Sequence, residues 1–104
     1  MTNYFLGIDI GGTMTKSAIF DDAGNEIASA SENTPVITPQ ADWNERDMLA
    51  LWETTQRTIR AALQKSGVSG EAIKGIGCTG HGKGLYPWGR DNKPAYGISW
   101  VNAM

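Results

Sequence analysis

Cysteine is nearly absent from this 104-residue chain: Cys78 stands alone, which excludes an internal disulfide and fits a reducing compartment, read here as the cytoplasm. Missing too is any apolar run long enough to span a bilayer, or a basic N-terminal segment followed by a long apolar one. Neither membrane insertion nor export is indicated. Charge of one sign is not in excess either. With a formal charge of −2 and Lys and Arg scattered along the chain, there is no basic stripe for nucleic acid or anionic lipid. Length sets a further bound, since 104 residues admit one domain with a modest core and not a two-domain enzyme. A hydrophobic share of 40% with four tryptophans still argues for a folded chain.

What is present is concentrated near the N-terminus. The apolar run Tyr4 to Ile10 reads as a buried strand and Thr15 to Phe20 as a second, so Gly11 to Met14 is expected to be the hairpin between them. One carboxylate, two glycines, a hydroxyl and a cation meet there as Asp9, Gly11, Gly12, Thr13 and Lys16. Glycines at positive φ would let backbone N–H groups approach an anion, with Thr13 and Lys16 adding side-chain donors. Asp9 would face magnesium, which takes one or two carboxylates and keeps several waters. The plainer reading is a Gly-Gly hairpin with Asp9 as a turn cap and Lys16 solvated. Against it, an Asp inside an otherwise apolar strand is costly to bury without a partner.

Asp21 to Asn25 is a strong turn signal, after which Glu26 to Glu32 can return as a third antiparallel strand. Asn33 to Asn44, with Pro35 and Pro39, reads as a surface connection. A helix is expected from Asp47 to Lys65, capped by Asp47 and ended by Gly67, with Trp52, Thr55, Ile59, Ala62 and Leu63 on one face. Trp52 and Ile59 are read as core residues. Ala72 to Thr79 is expected as a short buried strand, Gly80 to Gly84 as a tight loop, Leu85 to Trp88 as another strand, and Gly89 to Lys93 as a hairpin turn.

Two nucleotide-binding patterns occur in the glycine-rich segment. Gly75 to Gly80 spells the dinucleotide fingerprint, but that pattern works only between a full strand and a helix, and Gly82, Gly84 and Pro87 oppose a helix. Gly77 to Gly84 is one residue from a P-loop: Gly84 stands where Ser or Thr should hold magnesium, and no helix start follows. A P-loop-like ATP binder is kept as an alternative.

The first hairpin resembles the phosphate-binding hairpin of the sugar kinase, heat-shock ATPase and actin superfamily, with Asp9, Gly11, Gly12, Thr13 and Lys16 filling the pattern. The rest of the chain, from about Phe5 to Ile98, resembles the FGGY carbohydrate kinases within it. Glu45 and Asp47 match the pattern before the helix. In the loop after the fourth strand, Thr79 stands for Ser, His81 for Gln, Gly82 for Met and Lys83 for His. This Gly-Lys-Gly-Leu version is closer to the L-xylulose and xylulose kinase branch.

The resemblance implies an α/β fold of the ribonuclease-H-like, actin-like ATPase type. Residues 1–104 would be the N-terminal part of the first kinase domain: three antiparallel strands, a helix and further strand, incomplete. The fourth strand would run parallel to the first, bringing the Gly80 loop and the Asp9 hairpin to one cleft. It also implies a kinase that transfers the γ-phosphoryl group of ATP, with Mg2+, to a sugar hydroxyl, a pentulose such as xylulose being the expected acceptor. Gly11, Gly12, Thr13 and Lys16 would bind phosphate, Asp9 the magnesium, and His81 and Lys83 the sugar. The base and the adenine pocket are expected beyond Met104. The piece alone is expected to be inactive and to self-associate through its sheet edge and helix face. A non-catalytic phosphate or nucleotide-binding module is the other alternative.

Overall fold

The computed structural model describes residues 2–38, 44–80, 82, 84–86, 88–93 and 97–99. Strand β1, Tyr4–Ile10, pairs antiparallel with β2, Met14–Asp21, and β2 pairs antiparallel with β3, Glu26–Asn33. This is the expected meander, with β1 bounded as the apolar run suggests. The turn between β2 and β3 is held by Asp21, whose Oδ1 accepts the Ala23 and Asn25 amides, each at 2.9 Å, while Gly24 takes a positive φ of 85°. The Asn25 amide, followed by the Asn25 side chain, keeps the Asp21 carboxyl below its ordinary value of 3.8.

Strand β4, Asn44–Arg46, leads into helix α1, Met48–Ser66. The helix starts where its cap allows: Asp47 Oδ1 accepts the Leu49 and Ala50 amides at 3.0 and 3.3 Å. It stops at Gly67, left-handed at φ 70°, whose N–H bonds Leu63 O at 3.1 Å. A single 3-10 turn, Gly70–Ala72, then feeds β5, Ile73–Gly80, which pairs parallel with β1. The main sheet therefore has the order β3-β2-β1-β5. A small second sheet, β4-β7-β6, joins Asn44–Arg46 to β7, Gly97–Ser99, and β7 to β6, Gly84–Leu85. The sequence reading did not anticipate it; of the strand expected at Leu85 to Trp88, Leu85 belongs to β6, Trp88 forms a bridge, and Pro87 lies outside the described residues. The turn at residues 89–93 is present, with the Gly89 amide on Lys93 O at 2.7 Å and Asn92 at φ 63°.

The core lies between α1 and one face of the sheet, where Leu6, Ile8, Ile19, Ala30 and Ala62 are buried and Ile59 and Leu63 pack against them. Helical periodicity misplaced one residue. Trp52 is 56% exposed, and the buried stripe of α1 is Thr54, Thr55, Thr58 and Ala62. The reason is the partner surface, since β2 turns Thr15 and Ser17, both fully buried, toward the helix. Small hydroxylated residues let the two elements approach closely and satisfy each other. Thr58 donates to Thr55 O at 2.8 Å, so Ser17 must donate the 2.8 Å bond to Thr58 Oγ1. Thr54 and Thr55 return their hydroxyls to Ala50 O and Leu51 O at 2.9 and 2.8 Å. Across the edge of this interface, Arg57 grips Glu32 of β3 through Nε and Nη2, both at 3.0 Å.

Strand β5 is not buried as expected. The helix lies mainly over β2 and β3 and only grazes β1, so Ile76, level with Leu6 across the parallel pair, is 64% exposed.

Thr58→Val should lower stability by about 1–3 kcal/mol in urea unfolding, because Ser17 loses its acceptor. The double variant with Ser17→Ala should cost less than the sum of the two single changes. The Asp21 bonds favour the ionised carboxylate, so their contribution is present above the ordinary pKa of 3.8 and is lost as pH falls through and below it. An Asp21→Ala chain should accordingly show a flatter acid unfolding profile than the parent.

Candidate phosphate and metal site

Alternation along β1 puts Leu6 and Ile8 on the helix side and Phe5, Gly7 and Asp9 on the other. That second face carries an open pocket of about 410 Å³, lined by Gly7, Asp9, Lys16, Glu26, Gly77 and Thr79 among others. Register explains the grouping. Asp9 lies opposite Lys16 in the antiparallel pair and opposite Thr79 in the parallel one, so three chains of backbone deliver these side chains to one place. Phe20 and Phe5 lie over Gly7 and Gly75, where an added Cβ would meet each ring at 3.2 Å. At Gly77 a Cβ would meet nothing within 4 Å, leaving the floor open between them.

The reversal itself, Gly11 to Thr13, is absent from the pocket's lining residues and sits past the end of β1. Its glycines do not use positive φ, contrary to expectation: Gly24 and Gly67 are the glycines in that region among the described residues. Gly11 is required for space. Its amide bonds Met14 O at 2.9 Å, and a Cβ there would come within 2.8 Å of that same oxygen. Asp9 Oδ1 is 3.9 Å from the same position, so the carboxylate stands against the start of the turn.

Three successive carbonyls of the reversal are held by two residues that come later in the chain, Thr34 and Arg46. Thr34 Oγ1 donates to Gly11 O at 2.8 Å, Arg46 Nη2 to Gly12 O at 2.9 Å, and the Thr34 amide to Thr13 O at 2.8 Å. In a trans peptide the N–H points opposite to the C=O of the same unit, and no cis bond occurs among the described residues. The amides of Gly12, Thr13 and Met14 are thereby turned away from Thr34 and Arg46. Those of Gly12 and Thr13 have no hydrogen-bond partner among the described residues. Adjacent N–H groups left without a protein partner are the elements of an anion nest. Thr34 and Arg46 are 6% and 4% exposed, and sequence reading missed both, because contacts across 23 and 34 residues leave no local pattern.

Lys16 lines the pocket and has an ion-pair partner. Its Nζ pairs with Glu26 at 3.3 Å, both side chains being about half exposed. Such a pair is worth little in water, so the ammonium is available to a stronger anion. Asp9 is exposed on the pocket side, and among the described residues no cluster of three or more metal-ligating side chains forms a closed cage. One open carboxylate suits a hydrated magnesium ion carried with phosphates rather than a protein-caged metal. His81 and Lys83 lie outside the described residues. Gly80, just before them, pairs with Ile10 at the same end of the sheet as the reversal. The P-loop alternative fails, since Gly77 to Gly80 belong to β5 and the next described element after Gly84 is strand, not helix. The dinucleotide pattern fails for the same reason.

Comparison with known proteins agrees with this architecture. Residues 4–103 match the N-terminal domain of the FGGY family of carbohydrate kinases. The chain is 47% identical over 92 residues to a probable L-xylulose kinase of Pasteurella multocida, covering 88% of this chain and 19% of that protein. It is 44% identical over 94 residues to the L-xylulose/3-keto-L-gulonate kinase of Escherichia coli, covering 90% and 19%. Among solved structures, a ligand-bound xylulose kinase from Lactobacillus acidophilus superposes with a TM-score of 0.83 at 28% identity, over 96% of this chain and 20% of that one. The chain thus spans about a fifth of the length of these relatives, and it shares with them the actin-like ATPase fold. It belongs to the FGGY family of carbohydrate kinases, within the N-terminal domain of that family.

Proposed function

We propose that this chain supplies the phosphate and magnesium corner of an ATP-dependent carbohydrate kinase acting on a pentulose such as xylulose, and that residues 1–104 are the opening part of its first domain. The observation that carries this reading is the Gly11 to Thr13 reversal, its carbonyls held from behind and its amides facing outward, with the Asp9 carboxylate beside it. Gly12 and Thr13 would donate backbone N–H groups to the polyphosphate, and Thr13, whose side chain is exposed, can add its hydroxyl. Lys16 would exchange Glu26 for phosphate oxygen. Asp9 would hold waters of a magnesium ion, which neutralises charge on the transferring group when bound.

His81 and Lys83 are proposed as ligands to sugar hydroxyls. In support, β5 delivers the chain to the reversal's end of the sheet, and two similar relatives are a probable L-xylulose kinase and an L-xylulose/3-keto-L-gulonate kinase. No base is assigned to this chain. The alternative of a non-catalytic nucleotide module would share the reversal and differ in transferring nothing. A reducing, cytoplasmic setting agrees with the single exposed Cys78, and among the described residues no helix is long and apolar enough to cross a membrane.

Calorimetric titration of the chain with ATP should give magnesium-dependent binding, and Asp9→Asn should weaken it by about tenfold with Mg2+ without weakening binding in chelator. Absence of any magnesium-dependent binding by the parent would defeat the reading. The 104-residue chain should release no ADP with any pentulose, whereas a full-length protein carrying it should phosphorylate one; failure across a pentulose and polyol panel would favour the non-catalytic module. Self-association is proposed through the exposed edge at β5 and the apolar surface of Leu49 and Trp52, 61% and 56% exposed. Sedimentation should then show concentration-dependent dimers or larger species.

A further inference from the structure

We propose that Thr34 and Arg46 are positioning residues for phosphate binding: acting through backbone carbonyls, they preset the Gly12 and Thr13 amides in the direction a polyphosphate needs. This inference rests on the phosphate reading of the reversal and extends it to two residues that touch no ligand.

A three-residue reversal outside the sheet ladder has no strand partner to fix its peptide planes. Left to itself, each plane could rotate about its flanking φ and ψ, pointing N–H or C=O toward the site at similar cost. A carbonyl facing a triphosphate would repel it. Here each plane is locked by a donor behind it, and the donors come from two separate segments. Thr34 follows β3 and uses both its hydroxyl and its amide, on Gly11 O and Thr13 O. Arg46 ends β4 and reaches Gly12 O at 2.9 Å while its Nη1 lies 3.4 Å from Glu45 O.

Proton accounting gives the hydroxyl bond one direction. The Thr34 hydroxyl has a single hydrogen, which goes to Gly11 O, so the fully buried Thr15 donates the 2.9 Å bond to Thr34 Oγ1. The relay Thr15 to Thr34 to Gly11 thus has one sense and cannot invert to present an acceptor to the turn. Arg46 has an electrostatic role as well. Buried at 4% exposure, its guanidinium polarises the Gly12 to Thr13 peptide, so that the outward Thr13 N–H becomes a stronger donor. The same arrangement explains why a buried Arg is spent on a turn carbonyl, which a Lys or a water could satisfy for stability alone.

The test uses the 15N-labelled chain, with magnesium and ATP as the probe. In the parent, titration should shift the Gly12 and Thr13 amide resonances. Thr34→Val, which keeps the shape and removes the hydroxyl, should raise the Kd for Mg·ATP about tenfold, and Thr34→Ser should restore it to within about twofold. Arg46→Met should have an effect like that of Thr34→Val. Thr58→Val serves as the control, a buried hydroxyl of the same helix interface that lowers stability and leaves the Kd of the folded chain unchanged. If Thr34→Val folds poorly, the pair Thr15→Val with Thr34→Val removes the orphaned hydroxyl and carries the same expectation. Binding by the parent without any shift at Gly12 and Thr13 would overturn the phosphate reading and this inference with it. Shifts in the parent, together with parental affinity in folded Thr34→Val and Arg46→Met, would overturn the positioning role and leave the phosphate reading intact.

Discussion

A carbonyl left out of its strand ladder needs another donor, and in this chain that requirement shapes the place where chemistry is expected. The reversal after β1 contributes three carbonyls that its own short hairpin cannot satisfy. Thr34 and Arg46 satisfy them, and in doing so they decide which way the intervening amides face. Much of the surrounding structure follows from keeping those two residues in place. Residue 34 is carried there by the register of β3 on β2, in which Asn33 lies opposite Met14. Residue 46 is carried there by β4, fixed on one side by β7 and on the other by the bridge between Ile37 and Glu45. Helix α1 begins immediately afterwards at the Asp47 cap, so the helix start, the small sheet and the reversal are one mechanical unit.

Local chemistry was legible and long-range chemistry was not. The strand limits of β1, the Asp21 turn, the Asp47 cap and the Gly67 stop all depend on residues within a few positions of each other, and each follows from the sequence alone. The expected parallel pairing of the fourth strand also follows, because a helix between two strands allows little else. Trp52 and β5 show the limit of such reasoning. Periodicity identifies an apolar stripe but assumes that the opposing surface is apolar too; Thr15 and Ser17 make that surface polar, and the buried stripe shifts to threonines. Nor does an apolar strand in sequence reveal how far one helix extends across a sheet.

The candidate site divides in the same way. Asp9 and Lys16 were identifiable as chemistry-bearing groups because a charge next to a glycine turn is visible in a string of letters, and both do line the pocket. Gly11 is needed for lack of room beside Met14 O, and neither glycine of the reversal adopts the positive φ that the sequence suggests. Lys16 had a partner, Glu26, ten residues along the chain on a neighbouring strand, that no spacing rule pairs with it. Thr34 and Arg46 carry no signature at all, being ordinary residue types made special by where two distant segments happen to arrive.

The charge inventory of the pocket has a consequence for selectivity. Its charged lining groups among the described residues are the carboxylates of Asp9 and Glu26 and the single ammonium of Lys16, so its walls are net negative at neutral pH. A bare polyanion would meet no net attraction from these walls, and the Lys16 ammonium would have to leave Glu26 to reach it. A ligand whose charge is partly neutralised by a divalent ion would meet less repulsion, with the Asp9 carboxylate available to that ion's waters. For a kinase that takes its nucleotide with magnesium, as proposed above, such walls would favour the metal-neutralised form over the free nucleotide.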